Sequence, residues 1–208
     1  MAIDAFDGGP LTRVAGGGRL ATTFATTAAG LDRTADRVAA VSRRRSGITD
    51  AMYLLSRAGD DGRVWFVAVL IESGTKRRPL PWAGSALIAL GLESALVNWG
   101  IKNLVRRPRP PVAFGHGLRL RPPRDTSFPS GHASSAALMA MILSDDSTLP
   151  ASLWWVLAGG IGWSRVHLGV HHGSDVLAGW FIGGLLGWCA RPLVRRAAQQ
   201  IATPTAGG

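Results

Sequence analysis

From residue 64 onward the chain alternates apolar runs with basic loops, and this pattern leaves few architectures open. The runs are Val64 to Ile71, Trp82 to Ile101, Ala133 to Leu143, Ala151 to Trp163 and Val176 to Ala190. A membrane crossing takes about 20 apolar residues. Trp82 to Ile101 reaches that length, interrupted by Glu93 and Asn98. The others are shorter, so they serve as spans only if the polar residues beside them occupy the helix ends, near water. Periodicity gives no sign of strands. The expectation is an all-α protein, an integral membrane helical bundle of about five to six transmembrane helices. Gly179, Gly183 and Gly187 recur at four-residue spacing, which permits close helix approach.

Residues before the first run are polar and arginine-rich. Leu31 to Val41 carries Leu31, Ala35, Val38 and Ala39 at helical spacing among Asp32, Arg33, Asp36 and Arg37. Such a helix suits a membrane surface, or equally the body of the protein; it is entered here as an interfacial N-terminal helix. Ile48 to Ser56 reads as a second short helix, ended by Gly59 and the Asp60-Asp61-Gly62 turn. The domain reading is therefore a flexible and amphipathic region over 1–45, a membrane domain over 46–198 and a disordered tail over 199–208. No secretory signal is visible near Met1.

The formal net charge is +10, from 23 Lys and Arg against 13 Asp and Glu. Much of it flanks apolar runs and histidine motifs, which favours an anionic lipid or substrate over nucleic acid. The lone cysteine, Cys189, excludes an intrachain disulfide and reads as inert packing. With five crossings, the N-terminal region and the motif loops share one side, which carries 17 of the 23 basic residues. The positive-inside rule makes that side cytoplasmic, in the cell membrane.

Three signatures follow one another within 74 residues: Lys102-x6-Arg109-Pro110, Pro129-Ser130-Gly131-His132, and Ser164-Arg165-x5-His171-x3-Asp175. Lys102, Arg109 and Arg165 are fixed cations suited to the equatorial oxygens of a transferring phosphoryl group. Ser130 and Gly131 precede an apolar helix whose N-terminus exposes backbone N–H groups to an anion. His132 is placed to protonate a leaving oxygen. His171 and Asp175 are four residues apart and on a helix would share a face, where Asp175 could accept the Nδ1 proton and leave Nε2 free to attack. Arg106 and Arg107 read as charges snorkelling at a helix end, His167 and His172 as substrate-side or interfacial, and His116 receives no role. Glu93 and Asn98 read as structural groups bonded to a neighbouring helix. A rival pattern, His167–His171–Asp175 as a metal-binding stripe, leaves the three cations without a purpose.

These signatures resemble those of the type 2 phosphatidic acid phosphatase superfamily, matched at Lys102, Arg109, Pro110, Pro129, Ser130, Gly131, His132, Ser164, Arg165, His171 and Asp175. The resemblance covers residues 50–191. It implies a bundle of usually six spans, one more than the runs counted here. It makes His171 the phosphorylated nucleophile, Asp175 its partner and His132 the general acid, with Lys102, Arg109, Ser130, Gly131 and Arg165 cradling phosphate. It further implies catalysis with no metal and no cofactor. The residue bias and the stretch Leu54 to Gly59 are similar to actinobacterial members, some of which act on prenyl-phosphate sugars. The partner is then a phosphorylated membrane lipid in its bilayer. Candidate substrates are a prenyl-phosphoryl phosphosugar, phosphatidic acid, phosphatidylglycerol phosphate and a prenyl pyrophosphate. A non-catalytic lipid-binding protein and a vanadate-dependent peroxidase are the alternatives. The oligomeric state is not encoded in any motif.

Overall fold

A computed structural model describes residues 19–75, 79–111, 126–145 and 147–199. The basic turn Lys76-Arg77-Arg78, His116, the first 18 residues and the C-terminal tail lie outside the described residues. Every regular element among the described residues is helical: α1 (Arg19–Ser42), α2 (Ser46–Gly59), α3 (Arg63–Thr75), α4 (Leu80–Ala95), α5 (Lys102–Leu104), α6 (Gly131–Leu143), α7 (Ala151–His167) and α8 (Gly173–Gln199). A 3-10 turn, Asp60–Gly62, joins α2 to α3, and a π-helical stretch, Leu96–Ile101, runs from α4 into α5.

Two continuous helical segments, Leu80–Leu104 and Gly173–Gln199, are long and apolar enough to cross a membrane, with mean hydropathies of 1.5 and 1.3. The remaining body helices are shorter, with 13 residues in α3, 13 in α6 and 17 in α7. Among the described residues, full spanning length is therefore reached by two segments, and helix length alone does not establish five or six spans. The surface of the body is nonetheless apolar: Phe66 and Ile71 on α3, Ile88 and Leu92 on α4, Val156 on α7, and Phe181 and Trp188 on α8 are all exposed. A contiguous belt of this kind is not left facing water by a soluble monomer. Cys189 is exposed on α8 and is not packed inside; it lines a surface groove with Ile88 and Leu92 of α4.

Small residues set the centre of the bundle. α6 buries Ala133, Ala136, Ala137 and Ala140 together with Leu138 and Met139, and α8 lies against it through Gly179, Gly183 and Gly187. A methyl group on Gly187 would stand 2.8 Å from Met141 Cβ. Trp65, Trp82, Leu143 and Ile161 fill the space around this pair. At one end of the bundle, buried Glu72 of α3 accepts from Ser147 Oγ at 2.7 Å, and Asp145 pairs with Arg191 and Arg195 of α8. At the opposite end meet the starts of α3, α6 and α8 and the ends of α5 and α7. That end holds all three signatures.

α1 runs longer than its periodic segment and packs on the body. Ala39 is fully buried beside Ala133, Val166 and Val176. Val38 and Val41 stay exposed on its outer face. Arg43 donates to the carbonyls of Val166 and His167, at 2.7 and 2.6 Å. It thereby satisfies oxygens that the end of α7 leaves without helical partners.

Candidate active site

A cavity of about 970 Å³ opens at the motif end. Six of the eight residues singled out from the sequence line it: Lys102, Arg109, Gly131, His132, Arg165 and His171. The other two stand directly behind the wall. Ser130 is buried and caps α6 by accepting from the Ala133 amide at 3.4 Å, which leaves its hydroxyl proton available to donate. Asp175 is buried beneath His171.

Local structure explains the convergence. The π-helical stretch widens the turn just before Lys102, a distortion often found at functional sites. Residues 105–111 continue without regular structure, and the Ser127 amide donates to Arg107 O at 2.9 Å, folding this segment against the approach to α6. The Ser130 amide donates to Asp175 O at 3.0 Å and ties the start of α6 to the start of α8. Gly131 sits so close to the π-helical stretch that a Cβ would lie 3.1 Å from Asn98 Oδ1.

Arg109 donates to Val170 O at 2.6 Å and to His171 Nε2 at 3.2 Å. A guanidinium can only donate, so Nε2 carries the lone pair and the proton sits on Nδ1. That Nδ1 lies 3.7 Å from Asp175 Oδ2, an ion-pair distance too long for a hydrogen bond. His171 sits in the loop between α7 and α8. Burial pushes its pKa down to about 4; Arg165 and Arg109 push the same way, while Asp175 opposes them. The ring is therefore neutral near pH 7, with its lone pair facing the cations.

His132, across the cavity, engages Asp60 Oδ1 through Nε2 at 2.9 Å. This bond, the largest cause, holds the Asp60 carboxyl below its ordinary range, against partial burial. Asp60 lies in a turn made possible by Gly62, whose φ of +70° suits glycine. The sequence marked Asp60 only as a turn residue; an aspartate pair beside a histidine motif in space leaves no linear signature. Ser56 supports Arg165 by a short hydrogen bond from the guanidinium.

Several expectations are revised. Arg107 does not snorkel: it ion-pairs with both Asp32 and Asp175, because the irregular segment after α5 turns it inward. Arg106 is exposed. His167 is fully buried and faces neither substrate nor interface, with Ser42 Oγ 2.9 Å from Nδ1 and Thr49 Oγ1 3.1 Å from Nε2. With both nitrogens engaged it cannot join a stripe with His171, and no group of three metal-binding side chains occurs among the described residues. His172 Nε2 lies 3.3 Å from Pro108 O. Asn98 bonds Ser94 within its own helix and lines the cavity. Glu93 is buried at the cavity wall and faces Ser134 of the neighbouring α6, with Lys102 nearby.

Comparison with known proteins places the chain among phosphatases. Residues 82–199 match the family model described as the PAP2 superfamily. Decaprenylphosphoryl-5-phosphoribose phosphatase of Mycobacterium tuberculosis is 32% identical over 144 residues, 69% of this chain and 78% of the relative. Phosphatidylglycerophosphatase B of Bacillus subtilis is 29% identical over 71% of this chain and 76% of its own length. Among solved structures, the transmembrane PAP2-type phosphatidylglycerolphosphate phosphatase of Bacillus subtilis superposes with a TM-score of 0.63 at 25% identity, over 84% of this chain and 94% of that one. Aquifex aeolicus LpxE gives a TM-score of 0.61 at 25% identity, over 77% and 92%. On these matches the chain belongs to the PAP2 superfamily and is a phosphatase.

Proposed function

We propose that this protein hydrolyses the terminal phosphate ester of a membrane lipid through a covalent phosphohistidine on His171. The observation that carries the reading is the lone pair of His171 Nε2, 3.2 Å from Arg109 Nη1 in a cavity also lined by Lys102 and Arg165. Nε2 attacks phosphorus as the bond to the lipid oxygen breaks. Lys102, Arg109, Arg165 and the N–H groups at the start of α6 take up charge on the equatorial oxygens. His132 supplies a proton to the departing oxygen. Because Asp60 Oδ1 lies 2.9 Å from Nε2, the nitrogen left for that transfer is Nδ1. Water, deprotonated by His132, then attacks the phosphohistidine and releases inorganic phosphate, which regenerates neutral His171. Each transferred bond and proton is accounted for by these two histidines and water.

Substrate class follows from the walls. Phe66, Leu87 and Leu90 form an apolar side, while Arg57, Arg63, Asp60 and Asp61 line the mouth. The volume exceeds what a phosphate group alone would fill. An amphiphile with a sugar between its phosphate and its chain satisfies both features, and the mycobacterial relative is named for such a lipid. We therefore favour a prenyl-phosphoryl phosphosugar over phosphatidic acid, phosphatidylglycerol phosphate or a prenyl pyrophosphate. Purified protein given these four lipids in excess EDTA is expected to release phosphate fastest from the phosphosugar. Equal rates on all four would remove the headgroup preference, and activity abolished by EDTA would contradict the metal-free route.

For topology, the reading is that α3, α4–α5, α6, α7 and α8 cross the cell membrane as a five-helix bundle, the short members shielded by their neighbours. α1, α2 and all motif residues lie at one end, the end that the charge bias assigns to the cytoplasm. A cysteine placed at the exposed Arg44, in a Cys189→Ala background, is expected to resist impermeant thiol reagents in intact cells. Labelling from outside would reverse the assignment.

A further inference from the structure

Asp175 lies behind the reacting histidine, and both of its oxygens are held. The amide of His172 donates to Oδ2 at 2.9 Å, and Arg107 Nη1 reaches Oδ1 at 2.6 Å. Nη1 of the same guanidinium also meets Ser174 Oγ at 2.7 Å, while Nη2 meets Asp32 Oδ2 at 2.5 Å. The second oxygen of Asp32 accepts from the Ser174 amide at 2.8 Å. Four side chains and two backbone amides thus form one network around the first turn of α8. Side-chain exposures fall to 15% for Arg107, 10% for Asp32 and zero for Asp175.

Arg107 does not line the cavity. It cannot touch the phosphate, so any influence on the reaction passes through Asp175. The His171 ring is sensitive to that influence: its Nδ1 has no hydrogen-bond partner among the described residues and faces Asp175 Oδ2 at 3.7 Å. Where Oδ2 stands therefore decides which way Nδ1–H, and hence Nε2, points. A planar guanidinium that bridges two carboxylates fixes this position in a way a lysine cannot.

We propose that Arg107 and Asp32 are positioning residues that set the His171–Asp175 pair, making helix α1 part of the active-site architecture. The inference rests on the reading of His171 as the nucleophile. It also reaches outside the family match, which begins at residue 82, fifty positions after Asp32. α1 is anchored separately by Arg43 and Ser42 on the end of α7, so loss of the Asp32 carboxylate need not detach the helix.

The test uses the full chain in detergent micelles with dioctanoyl phosphatidic acid, comparing wild type with R107A, R107K, D32A, the double variant D32A/R107A and H171A. R107A is expected to lower kcat about 10–100-fold with KM within about twofold. R107K recovers little, because one ammonium cannot bridge both carboxylates. D32A lowers kcat less than R107A, and the double variant matches R107A alone, as members of one chain of contacts do. A rise in KM at unchanged kcat would make Arg107 a substrate contact and overturn the proposal. So would multiplicative effects of the two substitutions, or rates within twofold of wild type. Should R107A fail to fold, D32A, checked by its melting temperature, carries the same test through its kcat-to-KM split. An active H171A would instead overturn the His171 reading, a different pattern from failure of the positioning role alone.

Discussion

Replacing His171 with alanine is expected to lower kcat at least about 10⁴-fold, while the protein remains folded and still binds the lipid. The size follows from what is removed. Without Nε2 there is no covalent intermediate, and the cations that remain can only polarise phosphate toward water. His171 is buried, yet the change leaves the bundle core of Trp65, Leu138, Met139 and Ile161 untouched. The wild-type pH profile gives a second reading of the same group. Attack needs the neutral ring, so kcat/KM falls as pH drops through the pKa of His171 in the free enzyme. Burial, Arg165 and Arg109 depress that pKa to about 4, so the acid limb is expected near pH 4, after correction for the second ionisation of the substrate. A limb near the ordinary imidazole value would mean that His171 is not held among those cations.

Gly183→Leu is the substitution expected to damage the fold most. A side chain at this position would enter α6 directly: its Cβ would lie 2.8 Å from Ser134 Cα and closer still to the Ser134 carbonyl oxygen. Backbone cannot step aside as a side-chain tip can. Overpacking costs about 1–3 kcal/mol and occasionally more, and here it also forces apart the two helices that begin beside the histidines. α6 starts at Gly131–His132 and α8 starts just after His171. Activity should therefore fall further than the melting temperature alone would suggest. Gly184, one residue on, has nothing within 4 Å of an added Cβ, so Gly184→Ala serves as the neutral comparison. Equal melting temperatures and rates for Gly183→Leu and Gly184→Ala would show that α6 and α8 do not meet as described.

The helical architecture was legible because apolar runs and motif spacing both survive in one dimension. Lys102, Arg109, Gly131, His132, Arg165 and His171 could be named because each belongs to a short, ordered signature. Ser130 and Asp175, behind the wall, could be named the same way, but the groups that hold Asp175 and His132 could not. Asp32 is 75 residues from Arg107, and in a row with Arg33, Asp36 and Arg37 it is indistinguishable from a solvated charge. Arg107 stands beside Arg106, and nothing local says which of the two turns inward. His167 falls four residues before His171, but the helix ends between them, so the apparent stripe never forms. Asp60 reads as a turn residue until α3 and α6 are seen to start side by side. Span number is not settled by length for a related reason: hydropathy measures each segment alone, whereas short helices such as α3 and α6 pack against their neighbours.

The central claim is the covalent intermediate, and rapid-quench trapping tests it most directly. Wild-type protein mixed in excess EDTA with a lipid carrying ³²P in its terminal phosphate is expected to show label on the protein within the first turnover. That label should be acid-labile, map to the peptide containing His171 and be absent in His171→Ala. Stoichiometric phosphate release in the first turnover, with no labelled protein at any quench time, would contradict the account.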